Sequence, residues 1–143
     1  FPKYLVSSAE QDIETLSNRG YKSFFTEVTP VKNIQLTDYW ITISSKDIVH
    51  KIMGNTEVAN EKYCIRQIKK WAEMLEDRFQ KNAEFEKFKS GGINISSYNI
   101  NLDNNDFLSA RCNSYEDGAI VLWVYWESKE YSSAINEYYD QLE

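Results

Sequence analysis

One histidine, two cysteines, five glycines and no long apolar run narrow what this 143-residue chain can do before any pattern in it is read. Acid–base and nucleophilic catalysis need a base poised near neutral pH. His50 is the lone histidine, and no Gly-x-Ser-x-Gly elbow accompanies it. Its neighbours Ile48, Val49, Ile52 and Met53 read as a short helix that leaves His50 half-exposed. With no Cys-x-x-Cys and no second histidine, a structural zinc site is not expected. Asp103, Asn105 and Asp106 offer oxygen donors but lack the EF-hand spacing and its glycine. Glu116 and Asp117 form a second acidic turn, and both turns read as solvated hairpin connections. Gly91-Gly92 lacks the context of a phosphate-binding loop and reads as a helix stop. No apolar segment approaches the roughly 20 residues of a membrane span. Neither a metal nor a cofactor is expected.

What is present is ordinary globular usage, with 42% hydrophobic and 27% charged residues. The length suits a single domain over residues 1–143. Aromatics are the exception, at 15%, with 10 Tyr, 7 Phe and 4 Trp. A formal charge of −6 repels phosphate backbones and anionic lipid, which argues against nucleic acid and membrane surfaces as partners and favours a basic protein. Lys62, Arg66, Lys69 and Lys70 make a thin basic patch, followed at once by Glu73, Glu76 and Asp77, and read as a solvated helix face.

The periodicity gives an element order. Ser8 and Gln11 form a capping box for a first helix ended by Gly20. Tyr21 to Val28 and about Val31 to Ile43 read as strands, the second with a change of parity near Thr37-Asp38 that suggests a bulge. A short helix capped by Ser45 and stopped by Gly54 comes next. Ile65, Ile68, Ala72, Leu75 and Phe79 then lay a stripe along a long helix from about Ala59 to Phe88. Three antiparallel strands follow, Ile93–Leu102, Phe107–Ser114 and Ala119–Glu127, the last apolar from Ile120 to Trp126 and expected to be central. Ser128 caps a C-terminal helix bearing Tyr131, Ile135, Tyr138 and Leu142 on one face. The fold class is α+β, a mainly antiparallel sheet of about five strands against one long helix, in the order α-β-β-α-α-β-β-β-α. That order resembles the order in small α/β sandwiches and in the acidic chaperones of type III secretion; no residue motif accompanies it.

Cys64 falls early in the long helix and Cys112 in a strand, so a disulfide between them would staple helix to sheet, with a pair of core thiols as the alternative. That pairing, and a chain that begins at Phe1-Pro2, favour an exported protein, periplasmic or secreted, over a cytoplasmic one. The densest feature is the aromatic C-terminus. Trp123, Tyr125, Tyr131 and Tyr139, with Trp40, are the candidate partner-binding residues, because Trp and Tyr bury large areas where proteins grip one another. The expected function is a non-catalytic protein-binding domain, an inhibitor, immunity or escort protein for a basic partner, with a homo-oligomer left open. The alternative is a small-molecule binder or enzyme with an aromatic pocket between sheet and long helix.

Overall fold

Turn chemistry and side-chain alternation send most of this chain into strands. The computed structural model describes residues 5–7, 20–26 and 36–140, with backbone alone for 5–7, 25, 26, 138 and 139. The first expected helix, from Ser8, lies outside the described residues. The strands are β1 (Leu5–Ser7), β2 (Lys22–Thr26), β3 (Asp38–Ile43), β4 (Val49–Val58), β5 (Glu84–Ser90), β6 (Ile93–Asn101), β7 (Phe107–Ser114) and β8 (Ile120–Glu127). Two helices are described, α1 (Glu61–Phe79) and α2 (Lys129–Asp140). All strands pair antiparallel in one sheet of order β1-β2-β3-β4-β8-β7-β6-β5. The fold is thus α+β with an antiparallel sheet, as expected, but with eight strands among the described residues rather than about five and a different helix order. The apolar strand β8 does sit centrally, between β4 and β7.

Two expected helical stretches are strands. Residues 48–53, read as a short helix, belong to the β3–β4 hairpin, closed by Ser44 N–H donating to the Ile48 carbonyl at 2.9 Å. Pairing with β3 on one side and β8 on the other overrides the helical spacing of Ile48, Val49, Ile52 and Met53. The irregularity of this pair falls between Thr42 and Ile43, not at Thr37-Asp38. The long helix ends at Phe79 rather than Phe88, because Gln80 takes the left-handed conformation (φ 53°) and the Glu76 carboxylate accepts from Ala83 N–H at 2.9 Å. Residues 84–90 form the exposed edge strand β5 instead. Gly91 and Gly92, with φ of 55° and 81°, then make the two-residue hairpin turn that needs positive φ at both positions, so they are a turn and not a helix stop.

The helix α1 is capped by Asn60, whose side chain accepts from Tyr63 N–H at 2.7 Å. Its buried residues are Cys64, Ile68 and Ala72, and Cys64 and Ile68 pack with Leu36, Tyr39, Ala110, Cys112 and Leu122 in the main core cluster. Cys64 and Cys112 are joined by a disulfide, Cα to Cα 6.0 Å, which fastens α1 to β7. The sheet therefore has a helix face, filled by this core, and an opposite open face bordered by α2. Among the described residues no helix is long and apolar enough to cross a membrane.

Candidate functional site

Because alternate residues of a strand share a face, the register assembles the open face in rows. Asp38, Asn55, Trp123 and Arg111 lie across β3, β4, β8 and β7 in one row. Trp40, Met53, Tyr125 and Ser109 form the next, and Thr42, Lys51, Glu127 and Phe107 the third. From α2, Tyr131 and Ile135 close over these rows. Ser128 caps this helix as expected, its hydroxyl accepting from Tyr131 N–H at 3.1 Å.

The result is a cavity of about 370 Å³ lined by Trp40, Trp123, Tyr125, Tyr131, Met53, Ile135, Lys51, Arg111, Asn113, Ser23 and Thr42. A second cavity of about 510 Å³ lies beside it and shares Lys51, Arg111, Tyr125 and Ile135 as its wall. Its remaining lining is Phe107 and the polar Asn101, Asn105, Asn136, Ser132 and Glu127. Four of the five aromatic residues singled out from sequence meet in the first cavity. Tyr139 is the fifth, and its side chain lies outside the described residues. The aromatic cavity also stands on the opposite side from the one expected, since the interior between sheet and long helix is occupied by the core and its disulfide.

Sequence reasoning missed the two cations. Lys51 Nζ sits 4.8 Å from the Tyr125 ring centroid and 5.9 Å from that of Tyr131, and pairs with the Glu127 carboxylate at 3.3 Å. The other Glu127 oxygen accepts from the Ser132 hydroxyl at 2.5 Å. Arg111 lies with its guanidinium carbon 5.1 Å from the Tyr125 ring, and its Nε–H donates to Ser109 Oγ at 3.3 Å. Tyr125 is thus flanked by two cations, each held by attraction to the ring face. Burial pushes the Tyr125 hydroxyl above the ordinary tyrosine range; Arg111 pulls it back and Glu127 adds to the rise. Among the described residues, two buried polar atoms of side chains that line the cavity, Trp123 Nε1 and Asn113 Oδ1, have no hydrogen-bond partner.

His50 is buried on β4, only 5% exposed, rather than half-exposed on a helix. Its Nδ1 lies 2.8 Å from Ser128 Oγ, and the Tyr21 ring meets it edge-on at 5.2 Å. This Ser-His contact belongs to the anchoring of α2, whose first turn the same hydroxyl caps. Asp103–Asp106 and Glu116–Gly118 are hairpin turns, as expected, with Asn105 and Gly118 at positive φ. Comparison of the chain with protein-family models, curated proteins and solved structures finds no match.

Proposed function

We propose that this chain is a non-catalytic binding domain that takes a small ligand in the aromatic cavity beneath α2. The observation that carries this reading is the convergence of Trp40, Trp123, Tyr125 and Tyr131, from three elements, on one space that they line without filling. The cavity opens to solvent, and its rings carry apolar surface that an occupant would remove from water. The cavity's volume falls in the range of ligand pockets, roughly 300–1,000 Å³, and the polar and charged side chains that line it beside the rings, Ser23, Thr42, Lys51, Arg111 and Asn113, can orient a bound molecule. The lone histidine is committed to the hydroxyl that caps α2, which supports binding rather than acid–base chemistry. The disulfide fits an oxidising compartment, and export of the chain is part of the proposal.

Ile135 lines both cavities from α2, so a larger side chain there tests the reading. Ile135→Trp should fill the space and abolish the change in tryptophan emission caused by aromatic ligands, with the far-ultraviolet circular dichroism unchanged. Ligand binding that survives in a folded Ile135→Trp variant would place the site elsewhere. A second reading, a grip on another protein, is favoured by the exposure of Ile48 (53%), Val49 (41%) and Ile52 (48%) around the start of β4. A negatively charged domain would be steered to a basic partner, and Ile135→Trp would leave that contact intact.

A further inference from the structure

Lys51 and Arg111 differ in how their charge is met. Lys51 has the Glu127 carboxylate at 3.3 Å. Arg111 has a ring and a serine hydroxyl, and among the described residues no carboxylate lies within ion-pair distance of it. In a chain with 22 acidic residues against 16 basic ones, a half-buried guanidinium left without an anion is a charge held in reserve. Taking a cation out of water is unfavourable unless something compensates it. Directly across the β7–β8 pair from Arg111 stands Trp123, whose buried indole N–H also lacks an acceptor. Indole is a donor only, so what it lacks is an oxygen. Arg111 therefore presents on the cavity wall a charge that no anion in the described chain receives, beside an indole N–H buried without an acceptor.

We infer that the ligand is a planar compound with an apolar body bearing one carboxylate, or an oxyanion of like geometry, received by the guanidinium of Arg111. The planar guanidinium presents paired N–H groups that match the two oxygens of a carboxylate, a match that an ammonium cannot make. The apolar part of the wall, Trp40, Met53, Tyr131 and Ile135 among it, takes the apolar body. This inference rests on the cavity being the binding site, and the two fail differently.

The test is calorimetric titration of the full chain, with its disulfide formed, by 2-naphthoate, its neutral amide and the 2-naphthylmethylammonium cation. The carboxylate should bind at least about tenfold tighter than the amide, the scale of one charge-assisted hydrogen bond, and the cation weakest of the three. Arg111→Gln should abolish the preference for carboxylate over amide, and Arg111→Lys should keep only part of it. An unchanged thermal midpoint shows that the variants fold. Equal binding of carboxylate and amide, or a preference that survives Arg111→Gln, overturns the anion inference and leaves the cavity standing. Binding of none of the three counts against the cavity itself, and the anion inference falls with it.

Discussion

At Gly54 the side chains of Leu36 and of the glycine's cross-strand partner Tyr39 come closer than a side chain would permit. A Cβ built there would lie 2.7 Å from Leu36 Cδ1 and 3.1 Å from Tyr39 Cε1, both in the main core. Gly54→Ala should therefore destabilise the protein by about 1–3 kcal/mol, the usual cost of overpacking, read as a lower midpoint in urea unfolding. An unchanged midpoint would show that Leu36 and Tyr39 yield freely. Sequence could suggest only that Gly54 ended something; the contact that requires it comes from Leu36, 18 positions earlier. The rings of the site were more legible, because Trp123 and Tyr125 alternate within one strand and Trp40 and Tyr131 stood out by type. Lys51 and Arg111 were not. Each is an isolated cation among unlike neighbours, and only cross-strand register brings both to Tyr125. The one available signal was the alternation of Ser109, Arg111 and Asn113 with Ala110 and Cys112, which marks a polar face on β7.

Among the elements, α1 and β7 are bound by chemistry as well as packing. Cys64 and Cys112 are 0% and 1% exposed and close a segment with a sequence separation of 48. In the chain-entropy description such a closure stabilises the folded state by about 4 kcal/mol. The double variant Cys64→Ala, Cys112→Ala should lose about that much in urea unfolding, with a loss under about 1 kcal/mol showing that the core holds α1 unaided. This pairing was readable in advance, since a two-cysteine chain allows a single internal bridge. The boundaries were harder. The Glu, Lys and Phe of residues 84–89 suit a helix by composition, and only the turn at Gln80 and pairing with β6 make them a strand. There Phe85 packs on Tyr98 with ring centroids 4.9 Å apart. The apolar pairs at 48–49 and 52–53 have true helical spacing, and what overrides it is hydrogen bonding to β3 and β8, which no local pattern reveals.

For the molecule as a whole, the sheet separates two tasks. Strand β4 ends at the sheet's centre, α1 carries the chain across the helix face to the far edge at β5, and the meander β5–β8 returns to pair with β4. That route fills one face with the stapled core and leaves the other to the cavity and α2. The four tryptophans report on this division. Trp40 and Trp123 line the cavity. Trp71 packs against the main core from α1, and Trp126 lies on the helix face of β8, beside Leu108 and Ile52. The most direct measurement is a ¹⁵N spectrum of the four indole N–H resonances during titration with 2-naphthoate. A cavity that binds this probe moves the Trp40 and Trp123 signals in a saturable manner and leaves Trp71 and Trp126 in place. Saturable shifts at Trp71 or Trp126, with Trp40 and Trp123 unmoved, would contradict it.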